Sequence, residues 1–200
     1  FKETFDSLAV AHVNFMSDST KVEYYYIMAR AYYDLGTYNH DHYYQSTYAS
    51  LAKLYMDSAR HLSRPDSYDY LYLSGLQNLK NNHLHEAMSN LNEVLKRFVL
   101  TPQKLAVNYH NLSYIYTSLG DTDKAIEFMV MAALADLQVA TKETAAMYTL
   151  AKLLYEQGDV KNAYIFIEQA MDDALYYGAR QRKVEIGSLL PVIAAKKLNT

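Results

Sequence analysis

The chain has 200 residues, of which 50% are hydrophobic and 20% charged, and this balance excludes a disordered chain. Glycine (6) and proline (3) are scarce, which disfavours sheet folds with a turn at every corner and favours helices. The lack of cysteine rules out disulfides and thiolate chemistry, and a formal net charge of −3 gives no electrostatic reason to expect direct nucleic-acid binding.

The first third of the chain predicts helices with many tyrosines. Residues 1–14 carry apolar side chains at helical spacing and are expected to form the second helix of an incomplete repeat. The next helix places Tyr25 and Tyr32 at packing positions. Its partner helix is predicted to resume only near Ala52, so that extra residues follow Gly36.

Turn residues separate the helices in the middle of the chain. The proline-containing segment 64–67 is predicted to break the chain before the next helix. Asn81 and Asn82 occupy a predicted turn, since asparagine tolerates the left-handed conformation. Thr101 followed by Pro102 is typical of an N-cap and the first helical position.

Two segments of the second half, 109–132 and 147–170, repeat one pattern of large and small residues. In each segment a glycine is predicted to end the first helix in the left-handed conformation, and an aspartate to cap the second helix. The two pairs are Gly120–Asp121 and Gly158–Asp159. The pattern resembles the tetratricopeptide repeat (TPR), a pair of antiparallel helices.

The alanines that keep paired helices close recur at intervals slightly longer than the roughly 34 residues of a standard TPR. We therefore predict an all-α fold, a right-handed α–α superhelix (TPR solenoid) of about ten antiparallel helices in a single domain over residues 1–200. Pro191 is expected to kink or interrupt the terminal helix. The predicted repeats are 1–18 (partial), 19–63, 67–100, 102–138 and 141–176, followed by the terminal helix 179–197.

The last third carries a narrower resemblance through the segments AALAD (132–136), LLYEQGD (153–159) and ARQRKVEI (179–186). These are similar to the TPR sensor region of membrane-anchored transcriptional regulators of the Bacteroidetes. In that family the repeats follow an export signal and precede a transmembrane helix and a cytoplasmic regulatory domain. The resemblance therefore implies a periplasmic sensor, with the cytoplasm as the alternative, and an anchor outside these 200 residues rather than within them.

The first helix of each repeat is expected to line a concave groove, which would be rich in tyrosine and mixed in charge. Tyrosine offers a large apolar face and a hydroxyl at low entropic cost, so this groove suits an extended peptide, a partner helix or a carbohydrate. Tyrosines at helical spacing are more often packing residues, and for those in the groove a binding role and a plain surface position both stay open. The predicted groove residues are Glu23, Tyr26, Arg30, Tyr33, Asp69, Tyr72, Lys80, His110, Tyr114, Lys152 and Tyr155, with Asp34, Leu76, Thr117, Tyr148 and Glu156 beside them.

Other candidate chemistry is weak. The histidines His40, His42, His83 and His85 have a spacing that could supply metal ligands, but histidines in turns are more often solvated, so no metal and no cofactor are expected. The basic run 180–183 is interpreted as a solvated helix face. We recognise no phosphate loop, metalloprotease motif or nucleophile elbow, so the chain is not expected to be an enzyme.

The sequence thus predicts a non-enzymatic interaction or sensor domain that binds a peptide, a protein segment or a small ligand. The main alternative is an assembly scaffold that forms a homodimer and leaves the groove idle. A third hypothesis, a metal-dependent enzyme at the histidine-rich turns, ranks last.

Overall fold

The computed structural model describes residues 12–38, 42–139 and 145–198, with the side chains of 37, 38 and 42 left undescribed. This part of the chain contains nine α-helices and a single 3-10 turn at Val13–Phe15, with no strand. The helices are α1 (Asp18–Tyr38), α2 (His42–Leu62), α3 (Tyr68–Lys80), α4 (Leu84–Arg97), α5 (Pro102–Ser118), α6 (Thr122–Asp136), α7 (Ala145–Gln157), α8 (Val160–Tyr176) and α9 (Arg180–Leu198).

Local capping chemistry explains where several helices begin and end. The side chain of Thr101 accepts a hydrogen bond from the backbone N–H of Lys104 at 3.4 Å, and Pro102 opens α5, as predicted. Asp121 and Asp159 cap α6 and α8 in the same way. The residues with positive φ at the predicted turns are Asn82 (60°), Gly120 (80°) and Gly158 (95°).

The chain divides into two compact units, Phe1–Lys96 and Arg97–Thr200, referred to below as the N-terminal and C-terminal units. The organisation of all repeats into one continuous domain stays a prediction. Of the first predicted helix, residues 1–11 lie outside the described residues, and 13–15 form the 3-10 turn.

The N-terminal unit contains the helical hairpins α1–α2 and α3–α4. The side chains of Met28 and Ala52 are fully buried between α1 and α2. Gly75 lets α3 approach α4 closely, because a Cβ at this position would lie 3.0 Å from Leu91 Cδ2 and 3.3 Å from Asn90 Cβ. This glycine therefore acts at a helix contact and not at a turn.

The extra residues of the first hairpin that the structure describes lie in helices, which corrects the expected late start of its second helix. Gly36 lies inside α1, and α2 already begins at His42, ten residues before Ala52. Both helices are 21 residues long. A Cβ on Gly36 would make only an ordinary contact with Tyr48 Cβ, at 3.6 Å.

The C-terminal unit contains the hairpins α5–α6 and α7–α8, followed by α9. Its core includes Met129, Leu150 and Ile167, together with Ile186 and Ile193 from α9. Because both isoleucines are fully buried, α9 is a full member of this core. Of the two outcomes expected at Pro191, the break is wrong, since α9 runs through this residue as one helix, and the kink stays a prediction.

Candidate functional site

Within each unit, the first helices of successive hairpins carry the predicted groove residues. These helices are α1 and α3 in the N-terminal unit and α5 and α7 in the C-terminal unit, where α9 follows at the position of a further first helix. The exposed members are Glu23, Arg30, Asp69, Lys80, Tyr114 and Lys152, the half-buried members are Tyr26, Tyr33, His110 and Tyr155, and Tyr72 is buried.

In the N-terminal unit, α1 and α3 bring together a tyrosine cluster of Tyr26, Tyr68 and Tyr72. The rings of Tyr26 and Tyr72 meet edge to face with centroids 6.1 Å apart, and their hydroxyl oxygens are 3.5 Å apart. The rings of Tyr68 and Tyr72 stack with centroids 5.6 Å apart. This arrangement presents aromatic faces beside phenol hydroxyls, which suits contacts to ligands that are partly apolar and partly polar.

Tyr72 departs from the open position expected of a groove residue, because only 5% of its surface is exposed. A ligand at this cluster would therefore meet Tyr26 and Tyr68 first, and Tyr72 mainly holds these two rings in place. The sequence pattern does not distinguish this position from its neighbours, since the burial of Tyr72 depends on stacking by Tyr68, which is not among the predicted groove residues.

Ionisation of Tyr68 and Tyr72 is suppressed. Burial raises the pKa of Tyr72 well above its ordinary value, with a further contribution from Tyr26 and a smaller opposing one from the Arg30 guanidinium. Burial is also the main cause that raises the pKa of Tyr68. These phenols therefore stay neutral at physiological pH and act as hydrogen-bonding groups rather than as bases or nucleophiles.

In the C-terminal unit, Arg182 of α9 joins two predicted residues in an arginine cluster, defined as His110, Tyr148, Arg182 and Glu185. The Arg182 guanidinium carbon lies 5.7 Å from the centre of the Tyr148 ring, within the range of a cation–π contact. Its Nη1 donates to Glu185 Oε2 at 2.6 Å. The carboxylate of Glu185 thus fixes the guanidinium beside the tyrosine.

Burial and the nearby guanidinium act together on His110. Burial lowers the pKa of His110, and the positive charge of Arg182 lowers it further. Burial, and then the Glu185 carboxylate, raise the pKa of Tyr148, while Arg182 opposes them. At neutral pH the cluster therefore presents a neutral imidazole, a neutral phenol and an arginine–glutamate pair.

Sequence reasoning missed Arg182 and Glu185. The pattern of the basic run 180–183 predicts a solvated helix face, but the Arg182 side chain is only 30% exposed. The signal that could have revealed them is the position of α9, which follows two complete hairpins as the first helix of another repeat would.

Outside the two clusters, Lys80 Nζ lies 4.4 Å from the centre of the Tyr33 ring, while Tyr114 and Lys152 lie on the helix surface. Tyr114 is 56% exposed, and Lys152 forms a 3.9 Å ion pair with Glu156 in which both side chains are largely exposed. Tyr155 packs against the core of the C-terminal unit. The predicted packing role of Tyr25, Tyr32, Tyr109 and Tyr116 agrees with their buried or half-buried positions.

The histidine hypothesis is only partly covered by the structure. His40 and the side chain of His42 lie outside the described residues, while His83 and His85 are exposed. Over the described ranges, no group of three or more histidine, aspartate or glutamate side chains is arranged to hold a metal ion. None of the nine helices in the described part of the chain combines the length and apolar character that crossing a bilayer requires.

The helical hairpins with glycine or asparagine turns and packed alanines define a TPR-type repeat protein, a class that generally serves as a non-enzymatic interaction scaffold. A family model described as the SusR N-terminal TPR domain matches residues 1–188, and the chain belongs to this family. The predicted TPR identity and all-α repeat fold are thereby confirmed.

Solved structures show the same fold at low sequence identity. The apo form of RapI superposes with a TM-score of 0.62 at 13% identity, covering 96% of this chain and 69% of RapI. The Rap conjugation gene regulator of plasmid pLS20, solved with the Phr* peptide, gives 0.55 at 11% identity and covers 87% of this chain and 59% of the regulator. Nearly identical TPR-like repeats from Podosopora anserina give 0.52 at 16% identity, covering 92% of this chain and all of the other. No curated protein sequence matches the chain significantly.

Proposed function

We propose that this chain is the sensor part of a transcriptional regulator and that it binds a peptide, a protein segment or a small ligand through its first helices. The observation that carries the proposal is the pair of clusters on these helices. Phenol rings and hydroxyls lie in one unit, and an arginine–glutamate pair lies beside a tyrosine and a neutral histidine in the other, and both sets of groups suit ligand contacts.

Two further observations support this proposal. The family to which the chain belongs is described by a SusR domain, and a structural neighbour, the Rap regulator of plasmid pLS20, was solved with a bound peptide. The location that goes with the proposal is the periplasm, with the cytoplasm as the alternative.

In this proposal, Arg182 links ligand binding to the last helix of the C-terminal unit. This residue belongs to α9, whose Ile186 and Ile193 are buried in the core of the C-terminal unit. A ligand that pairs with Arg182 would compete with Glu185 and so act directly on α9, the last helix described. Binding would then be transmitted to whatever follows α9 in the whole protein.

The experiment is a ligand and peptide screen read by thermal shift, since a ligand that favours the native state raises the melting temperature. For each hit, Tyr26→Ala and Tyr114→Ala are compared with Tyr176→Ala, an exposed tyrosine on the second helix α8. We expect affinity to fall in at least one of the first two variants and to stay unchanged in the third. Unchanged binding in both first-helix variants for every hit would overturn the proposal.

A scaffold that dimerises is the second candidate, and α6 supplies the observation that favours it. Val130, Leu134 and Leu137 lie at helical spacing and are 38%, 54% and 50% exposed. If this stripe forms a dimer interface, sedimentation velocity should show a dimer that Leu134→Glu converts to a monomer. A monomer at all concentrations would exclude this candidate.

A further inference from the structure

A cavity outside the two clusters opens between α1, α2 and α3 in the N-terminal unit. Its volume is about 230 Å³, which is room for several water molecules. This is below the ~300–1,000 Å³ of sites for drug-sized ligands. The cavity therefore suits a small molecule. Its walls are formed by Tyr33, Ala49, Lys53, Met56, Gln77, Lys80 and Asn81.

Two lysines give this lysine pocket its charge. Lys80 Nζ lies 4.4 Å from the centre of the Tyr33 ring, and this cation–π contact holds the ammonium at the wall of the cavity. Lys53 enters the wall from α2. One carboxylate adjoins the pocket, since Asp57 Oδ1 accepts a hydrogen bond from Nε2 of the wall residue Gln77. The pocket therefore keeps a positive balance of charge.

The remaining walls are apolar or neutral. Met56 is 3% exposed and, with the Tyr33 ring and Ala49, provides a surface for a hydrocarbon or aromatic group. The amides of Gln77 and Asn81 can donate to or accept from polar substituents. Two exposed lysines on the walls of a pocket that also has an apolar surface match a molecule that has an anionic end and an apolar body.

We infer that the lysine pocket binds a small organic carboxylate. The carboxylate pairs with Lys80 and Lys53, and the apolar body lies against Met56 and Tyr33. This inference rests on the proposed function, because Tyr33 and Lys80 belong to the predicted first-helix binding surface, and it specifies one ligand class for that surface.

The test uses benzoate as the probe, benzamide as its uncharged analogue and inorganic phosphate as an anion without an apolar body. Binding to the full 200-residue chain is measured by isothermal titration calorimetry or saturation-transfer NMR. We expect benzoate to bind at least about tenfold more tightly than benzamide or phosphate, since a charge-assisted hydrogen bond is about twice as strong as a neutral one and phosphate has no apolar body.

Variants then locate the binding. Lys80→Met and Lys53→Met should each weaken benzoate binding by about tenfold, whereas Lys80→Arg should retain most of it. Lys96→Met removes one exposed positive charge from α4, away from the pocket walls, and should have no effect. Melting curves of each variant, followed by circular dichroism, show that the fold is kept.

Several outcomes would overturn the inference: equal binding of benzamide, equal binding of phosphate, or unchanged benzoate affinity in the double variant Lys53→Met/Lys80→Met. Failure of this inference can be distinguished from failure of the proposed function. Loss of a screened ligand in Tyr114→Ala, a residue of the C-terminal unit, supports first-helix binding even if benzoate does not bind.

Discussion

The two units use the same helical position for different chemistry. In the N-terminal unit the first helices bring together phenols whose pKa values are raised by burial, so this surface keeps one charge state across the neutral range. In the C-terminal unit they bring together His110 and Arg182, a titratable group and a fixed charge. The comparison teaches that the repeat fixes where a side chain lies, while the residue at that position decides whether the surface responds to pH.

The largest expected effect comes from disturbing the helix contact beneath the tyrosine cluster. Gly75→Val adds a branched Cβ where even an unbranched one would lie 3.0 Å from Leu91 Cδ2. We expect a loss of about 1–3 kcal/mol in the free energy of unfolding, measured by urea denaturation. Because α3 carries Tyr68 and Tyr72, the variant should also weaken any ligand bound at the tyrosine cluster more than one bound at the arginine cluster.

Gly36→Ala is the matched control for this variant. Gly36 also lies in a helix interior of the same unit, but a Cβ there meets Tyr48 at an ordinary 3.6 Å. Alanine should therefore stabilise α1 by up to about 1 kcal/mol. A destabilising Gly36→Ala together with a neutral Gly75→Val would contradict the account of the α3–α4 contact.

A smaller effect is expected from the hydroxyl of Tyr72. Tyr72→Phe keeps the stacked ring and removes the group that lies 3.5 Å from the Tyr26 hydroxyl. The expected cost is about 0.5–1.5 kcal/mol in unfolding free energy, the usual net value of one hydrogen bond. Tyr176→Phe, at a side chain that is 83% exposed, should cost almost nothing, and equal effects of the two variants would refute the proposed role of Tyr72.

The smallest effect concerns pH and distinguishes the C-terminal unit. Because the pKa of His110 is lowered in the folded state, the unfolded chain binds more protons as pH falls below about 6.5, and stability is lost from there downwards. His110→Gln should therefore lose less stability than the parent chain between pH 7 and pH 5, as measured by thermal melts. A parent and variant with parallel pH profiles would show that His110 does not titrate differently on folding.

Arg182→Met tests how much the guanidinium contributes to the lowered pKa of His110. Removing the guanidinium should raise the pKa of His110, followed by NMR titration of its ring protons, but leave it below its ordinary value, because burial is the larger cause. An unchanged pKa would mean that Arg182 does not act on this histidine.

Local rules predicted the fold well because they depend on residues close in sequence. The left-handed Gly120 with the capping Asp121, and Thr101 with Pro102, each need only a few neighbouring residues to define a helix end. The start of α2 was missed because the segment after Gly36 contains no alanine anchor, and its helix is set by contacts with α1 instead.

The candidate site was less predictable because it depends on contacts between helices. Tyr72 and Tyr114 occupy first-helix surface positions in the repeat pattern, yet one is buried by stacking and the other is 56% exposed. In the sequence, Arg182 belongs to a basic run typical of a solvated helix face. In the structure, its guanidinium on α9 lies near the ring of Tyr148 on α7. No single-sequence pattern encodes these partners.

The central claim is that ligands bind on the first helices of both units, and 19F NMR of protein labelled with 3-fluorotyrosine tests it most directly. For a ligand that raises the melting temperature, the account predicts shifts at Tyr26 and Tyr68, or at Tyr114 and Tyr148, while the exposed Tyr176 on the second helix α8 stays unchanged. A shift confined to Tyr176 would contradict it.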